Sequence, residues 1–161
     1  MVRRFVPLVV LSLAASCSGG PGPTVQANEI RAIGALRNIN QAEISYAATC
    51  GQGGYATSLT VLGVPAPGAT QAFLPPELTS GATVTQYGYA MTLASGADAK
   101  DGPLDCHGKP TRTDYYAKAE PATPGSSGTR SFATTSGNTV WQLNGATAPR
   151  EPFGAPATPV Q

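Results

Sequence analysis

The sequence contains few charged side chains and few of the residue types that carry out catalysis. Of its 161 residues, 12% are charged, three are cysteines and one is a histidine. There is no G-x-S-x-G nucleophile elbow, no C-x-x-C pair with zinc-binding spacing, and no phosphate-binding lysine beside the glycine-rich run Gly51–Gly54. These absences exclude the hydrolases, zinc sites and nucleotide-binding enzymes that carry such motifs. They predict a protein that is not an enzyme.

The remaining candidates for acid–base chemistry have structural interpretations. His107 is expected to be a solvated residue of a loop that is flanked by glycine. Glu29 and Glu43 are expected to cap a helix or to lie on its exposed surface, where an acidic residue in the first turn complements the helix dipole. We expect Arg130 to pair with Glu120 or with a loop carbonyl.

The chain also lacks a surplus of charge of either sign. Its formal net charge is +1, and removal of residues 1–16, which include Arg3 and Arg4, would change it to −1. Binding to nucleic acid depends on neutralising phosphates with many basic side chains. The composition therefore excludes nucleic acid as a partner.

No run of apolar residues is long enough for a membrane-spanning helix, which needs about 20 residues. The longest run, Phe5–Ala15, follows the basic residues Arg3 and Arg4. A short apolar stretch behind a positive start is typical of a secretory signal peptide. We therefore assign residues 1–16 to a signal peptide and leave them out of the fold prediction.

Two processing routes remain open after this signal peptide. The small residues Ala14–Ser16 directly precede Cys17 and resemble the lipobox of bacterial lipoproteins, although Leu13 lies one place earlier than the usual leucine. On this route Cys17 is the lipid attachment site, residues 17–26 form a Gly/Pro-rich tether, and the protein is a membrane-anchored lipoprotein of the cell envelope. On the other route cleavage follows Ala27, and the product is a soluble periplasmic or extracellular protein.

Both routes leave Cys50 and Cys106 in an oxidising compartment, where disulfides persist. Export therefore favours a disulfide between them. The alternative is a pair of buried reduced thiols.

The patterns after residue 26 predict one domain, residues 27–145, of the α+β class. Apolar residues at helical spacing predict an amphipathic helix over Ala27–Ala48, with Ile30, Ile33, Leu36, Ile39, Ile44 and Tyr46 on its buried side and Arg31, Gly34, Asn38, Gln41 and Ser45 opposite. Alternating residues and turn signals predict strands at Thr83–Leu93, Thr113–Glu120, Arg130–Thr134 and Thr139–Leu143. We expect the helix to pack on this three- to four-stranded antiparallel sheet. The aromatic residues of the strands should fill the core: Tyr87, Tyr89, Tyr115, Tyr116 and Trp141. Residues 94–110 should form a polar loop and residues 146–161 a Pro-rich flexible tail.

Two segments resemble the headgroups of type IV pilins and type II secretion pseudopilins. Residues 27–63 read ANEIRAIGALRNINQAEISYAATCGQGGYATSLTVLG, which is similar to the helix and first loop of those proteins. Residues 115–141 read YYAKAEPATPGSSGTRSFATTSGNTVW, which is similar to their sheet segment. The resemblance covers roughly residues 27–143. The prepilin cleavage motif and the apolar stalk helix are absent, so assembly into a filament through such a stalk is not expected.

The resemblance also implies a candidate cation site, because pseudopilins of this family bind calcium in a loop of the sheet. Asp98, Asp101 and Asp105 lie in one predicted loop, and carboxylates are suitable calcium ligands. The alternative is ordinary turn chemistry, for which Asp and Gly are also favoured.

The resemblance thus implies a non-enzymatic pilin-like or pseudopilin-like protein of the cell envelope. Its role would be interaction or structure, linked to a type II secretion or type IV pilus system, with pseudopilins or secretion components as partners. The alternative is an exported module that binds a small ligand or calcium and is unrelated to filaments.

Overall fold

The computed structural model describes residues 23–161. The predicted signal peptide, residues 1–16, and Cys17 lie outside the described residues. Helix α1 extends over Pro23–Thr49 and so includes the last four residues of the predicted tether. Within residues 23–161, no helix combines the length and apolarity that crossing a membrane requires.

The buried side of α1 differs in part from the predicted one. Ile33, Leu36 and Ile39 are buried as expected, but Ile30 and Ile44 are 61% and 43% exposed. Polar residues take their places on the buried side: Glu29 is 1% exposed, Asn40 3% and Glu43 0%. The two glutamates were predicted to cap the helix or to lie on its exposed surface, and the surface position is wrong because both are buried. The helix packs against the sheet through a mixture of apolar and hydrogen-bonded polar side chains.

The prediction of three to four strands is wrong, because the described chain contains eight. Six form an antiparallel sheet in the order β1-β2-β5-β6-β7-β8, and β3 and β4 form a separate two-stranded sheet. The strands are β1 (Thr83–Gln86), β2 (Tyr89–Ser95), β3 (Asp101–Leu104), β4 (Pro110–Arg112), β5 (Tyr115–Pro121), β6 (Arg130–Thr135), β7 (Trp141–Asn144) and β8 (Thr158–Pro159). A short helix α2 (Leu59–Leu62) and a 3-10 turn at Pro76–Leu78 connect α1 to the sheet.

One additional strand arises because the predicted strand Thr83–Leu93 is a hairpin. Tyr87 and Gly88 both have positive φ, 55° and 74°, as in the two-residue turns that match the twist of paired strands. Tyrosine is an unusual residue for such a turn. The alternating pattern over Thr83–Leu93 therefore continues through the turn and predicts a single strand. Tyr87 consequently lies at the exposed tip of the hairpin and not beside Tyr89 in the core.

The predicted polar loop 94–110 contains two further strands. Strands β3 and β4 pair antiparallel with an irregularity between Asp101 and Leu104. Their positions are polar or exposed, since only Thr111 of the two strands is buried. Without a buried face there is no period-two pattern, and the sequence gives no strand signal.

The core lies between α1 and one face of the six-stranded sheet. Strand β5 alternates strictly, with Tyr115, Ala117 and Ala119 buried against the helix side. Small residues also occur on the facing side of α1, at Ala32 and Ala35. Because protein interiors are closely packed, these alanines bring helix and sheet near each other, and long polar side chains of α1 reach the sheet backbone.

The outer face of the sheet is covered by the segment that was predicted as a flexible tail. The Tyr116 hydroxyl donates a hydrogen bond to the Pro149 carbonyl oxygen at 2.5 Å, and the rings of Trp141 and Phe153 stack with centroids 5.4 Å apart. Strand β8 then pairs with β7. Tyr116 and Trp141 therefore pack under this segment and not in the helix–sheet core.

Candidate functional site

The disulfide between Cys50 and Cys106 is present, which confirms the predicted pairing. It joins the end of α1 to the turn between β3 and β4, across a sequence separation of 56 and a Cα–Cα distance of 4.7 Å. The Cys106 amide also donates to the Cys50 carbonyl at 2.8 Å. The disulfide therefore fixes the two-stranded sheet to the end of the helix.

Among residues 23–161, the three predicted calcium ligands, Asp98, Asp101 and Asp105, do not form a group with metal-binding spacing. Asp101 forms an ion pair with Arg112. Asp98 lies near Glu151, whose pKa is raised mainly by burial and in part by the negative charges of Asp114 and Asp98. Within residues 23–161, the one group with metal-binding spacing contains Cys50, Cys106 and His107, and its two sulfurs are bonded to each other.

Asp105, the third of these aspartates, is buried and organises its own turn. Its Oδ1 accepts hydrogen bonds from the His107 and Lys109 amides at 2.8 and 2.7 Å, and its Oδ2 accepts one from the Tyr46 hydroxyl at 2.7 Å. Burial alone would raise the pKa of Asp105, but these donors outweigh it and lower the pKa. The charged carboxylate is thus occupied by protein donors.

Glu29 clamps the start of α1 to strand β6. Its Oε1 accepts hydrogen bonds from the Thr129 amide and hydroxyl at 2.9 and 2.8 Å. Its Oε2 accepts from Nε and Nη2 of Arg130 at 2.9 and 2.7 Å. Burial would raise the pKa of Glu29, but the bonds from Thr129 and Arg130 lower it below its usual value. Arg130 therefore forms its ion pair with Glu29, whereas the sequence suggested Glu120 or a loop carbonyl as its partner.

Asn40 bridges the middle of α1 to strands β5 and β6. Its amide donates to the Thr134 hydroxyl at 3.1 Å, and its carbonyl oxygen accepts from the Tyr115 hydroxyl at 2.9 Å. Asn40 is 3% exposed and Tyr115 is fully buried. Buried polar groups are stable only when they are hydrogen-bonded, and each of these three side chains satisfies another.

Among the described residues, Glu43 is the one buried acid with a carboxylate oxygen that has no hydrogen-bond partner. Its Oε2 accepts the Ala56 amide at 2.9 Å, whereas Oε1 has no hydrogen-bond partner. The residue is fully buried near Tyr46 and Tyr115, whose pKa values are raised mainly by their own burial and further by the negative charge of Glu43. Burial raises the pKa of Glu43 to about 8. At neutral pH the carboxyl is therefore mostly protonated.

His107 is exposed, as predicted, and its Nε2 lies 2.9 Å from the Pro65 carbonyl oxygen. Asp105 contacts the backbone amide of His107 and not its imidazole. Among the described residues, this pair therefore lacks the acid–imidazole hydrogen bond of a catalytic triad.

Helical spacing was a usable signal for the buried polar residues. Glu29 precedes Ile33 by four positions, Asn40 follows Leu36 by four, and Glu43 follows Ile39 by four. Residues four apart lie on the same helix face. The helical spacing that predicts burial of Ile33, Leu36 and Ile39 therefore also places these polar side chains on the buried face of α1.

An open surface remains on the other side of α1. Arg31, Gly34 and Asn38 line a cavity of about 230 Å³ together with Tyr87 at the hairpin tip. The Arg31 guanidinium lies 5.5 Å from the centroid of the Tyr87 ring. A second cavity, of about 250 Å³, also includes Asn38 and continues along the helix beside Gln41. These two cavities together are called the α1 groove.

Comparison with known proteins identified no relative: no family model, no curated protein and no solved structure matches the chain.

Proposed function

We propose that the protein is a non-enzymatic, pilin-like or pseudopilin-like domain of the cell envelope that acts by binding other proteins. In this proposal it is exported and attached to the membrane by a lipid on Cys17. Its partners are pseudopilins or other components of a type II secretion or type IV pilus system. The resemblance of residues 27–143 to pilin headgroups supports the assignment of these partners.

The open face of α1 is the observation that carries the proposal. Gly34 lies inside the helix, and a Cβ atom built on it would meet nothing within 4 Å. Glycine in a helix costs about 0.5–1 kcal/mol relative to alanine, and no internal contact requires it here. Tyr87 and Arg31 stack beside it, and tyrosine and arginine are enriched at the energetic centres of interfaces. This combination is typical of a surface on which another backbone approaches closely.

The use of the buried polar groups supports a role without catalysis. Glu29, Asn40 and Asp105 form hydrogen bonds with the protein's own backbone and side chains. A catalytic acid or base must reach a substrate atom, and these groups face inward.

The disulfide supports the exported location, since disulfides persist in oxidising compartments. It also restrains the β3–β4 sheet against α1, which would keep the domain folded outside the cell.

Site-specific photo-crosslinking in the source cells tests the proposed interaction. A benzophenone side chain replaces Asn38, which is exposed in the groove, or Thr147, which is exposed on the opposite face of the sheet. We expect an adduct with a pseudopilin or secretion component from position 38 and none from position 147. No adduct at position 38, or equal adducts at both, would contradict the interaction. The intact mass of the mature protein tests the anchor: a start at Cys17 with acyl mass supports it, and a start at Asn28 rejects it.

A further inference from the structure

A third cavity, separate from the α1 groove, lies between helix α2 and the turn that joins β3 to β4. Its volume is about 400 Å³, at the small end of the range of about 300–1,000 Å³ that is usual for ligand pockets. Apolar groups of Val61, Val64 and Pro110 line it, and Val64 is 46% exposed. An exposed apolar surface in a concave site indicates a ligand with an apolar part.

The two walls of this cavity are tied together by the protein. The His107 side chain reaches across to the Pro65 carbonyl oxygen, 2.9 Å away. The disulfide at Cys106 fixes the same turn to α1. Within the turn, the Asp105 carbonyl oxygen accepts the Gly108 amide at 2.9 Å, and the Asp105 amide donates to the Lys109 carbonyl oxygen at 2.8 Å. A site with prearranged walls loses little conformational entropy when a ligand binds.

Lys109 is the one lysine or arginine that lines the cavity, and the other basic residue of the lining, His107, has its Nε2 engaged 2.9 Å from the Pro65 carbonyl oxygen. Within residues 23–161 its ammonium group forms no ion pair, since the described salt bridges involve Arg112, Lys118 and Arg130. Asp105 also lines the cavity, but the residue is 5% exposed and its carboxylate accepts three hydrogen bonds from the protein. Lys109 is therefore the charged group that is available to a ligand.

Thr57 adds a neutral polar group to the same lining. Among the described residues its hydroxyl is not engaged in a hydrogen bond, unlike that of Thr60, which lies 2.8 Å from the Ser58 hydroxyl. A hydroxyl donor and an ammonium group are suitable partners for a carboxylate.

From this arrangement we infer that the cavity binds a small amphipathic carboxylate, with its aliphatic chain on Val61, Val64 and Pro110 and its carboxylate on Lys109. One available cation matches one negative charge, and the small volume matches a short chain. This site lies outside the groove on α1, so it does not depend on whether the protein binds a partner there.

Octanoate is the probe for the test, and octanol is its uncharged counterpart. Every sample is the full chain with its disulfide intact and with Cys17→Ser, so that no attached acyl chain competes. Amide chemical shifts are followed during titration. We expect octanoate to shift the resonances of Val61, Val64 and Lys109, and octanol to bind at least about fivefold more weakly, the factor that corresponds to an exposed ion pair.

Lys109→Ala should weaken octanoate binding about fivefold and leave octanol binding unchanged. Lys100→Ala is the matched control, because Lys100 is also exposed but does not line the cavity; it should bind octanoate as the parent does. Val64→Asp, at an exposed position that should tolerate a polar residue, should abolish binding of both probes.

Three results would overturn the inference: shifts that map outside the cavity, equal binding of octanol and octanoate, or equal loss of affinity in the Lys109 and Lys100 variants. Absence of any shift at millimolar octanoate would also reject it.

Discussion

The guanidinium of Arg130 forms two hydrogen bonds to one oxygen of Glu29, from Nε at 2.9 Å and from Nη2 at 2.7 Å, although the two residues are 101 positions apart. The Glu29 side chain is 2% exposed and that of Arg130 is 32% exposed. This pair holds the first turns of α1 to strand β6.

Glu29→Gln is expected to destabilise the fold by about 3 kcal/mol, the low end of the range for breaking a buried ion pair, because Arg130 keeps partial access to water. The free energy of unfolding in urea measures this change. Lys118→Ala is the control, since Lys118 and Glu120 form a more exposed pair that should contribute less than about 1 kcal/mol. If both variants lost the same free energy of unfolding, the Glu29–Arg130 pair would contribute no more to holding α1 to β6 than an exposed ion pair does.

The face of α1 that is buried can be tested with two isoleucines. Ile39 is fully buried and Ile44 is 43% exposed, although the sequence pattern predicted burial for both. Ile39→Asp should leave the domain unfolded, because an unpaired charge would be forced into the core. Ile44→Asp should fold, with a change in stability within about 0.5 kcal/mol. Circular dichroism and thermal melting distinguish the two, and an unfolded Ile44 variant would support the sequence pattern over the structure.

The disulfide predicts that the stability losses of the two single cysteine variants do not add in the double variant. Cys50→Ser and Cys106→Ser should each lose about 4 kcal/mol, the chain-entropy value for a loop of this length. The double variant should lose no more than either single variant, since one bond is removed in all three cases. Unfolding of the oxidised proteins in guanidinium gives these values, and clearly additive losses would contradict the disulfide.

The sequence predicts helix α1 and the disulfide because both depend on local or compositional signals. Ile33, Leu36 and Ile39 repeat at helical spacing, and export predicts that Cys50 and Cys106 pair. The hairpin at Tyr87 was not predictable in this way, because its turn uses a residue that is common in strands. The pairing of Arg130 with Glu29 was also not predictable from the sequence, because a contact across 101 positions leaves no local pattern.

The hydrogen-bond partners of Glu43 are another feature that the sequence pattern does not indicate. Helical spacing places it beside Ile39, but its one hydrogen-bond donor within residues 23–161 is the Ala56 amide, which comes from an irregular segment. The sequence indicates neither this donor nor the absence of a second one. The raised pKa of Glu43 follows from that environment and is therefore a property that only the packed structure reveals.

The final prediction concerns the dependence of stability on pH. The pKa of Glu43 is raised from 4.5 to about 8 in the folded protein, so folding favours the protonated form. Its contribution to stability is fully present below pH 4.5 and is lost as the pH rises to about 8. Between pH 5 and 8 the free energy of unfolding should therefore fall by about 1 kcal/mol per pH unit because of this group. Glu29 and Asp105 have lowered pKa values, so their stabilising effect is lost only at more acidic pH.

Glu43→Gln should remove this slope, because the side chain no longer titrates. Its carbonyl oxygen can still accept the Ala56 amide, and only the slope is compared, since the amide group adds donors that need partners. Glu77→Gln is the matched control, because Glu77 is exposed and the variant should retain the slope. Urea unfolding at pH 5, 6, 7 and 8 measures all three proteins. A wild-type stability that is constant over this range would show that Glu43 is ionised in the folded state, and that its buried environment supplies a partner for Oε1.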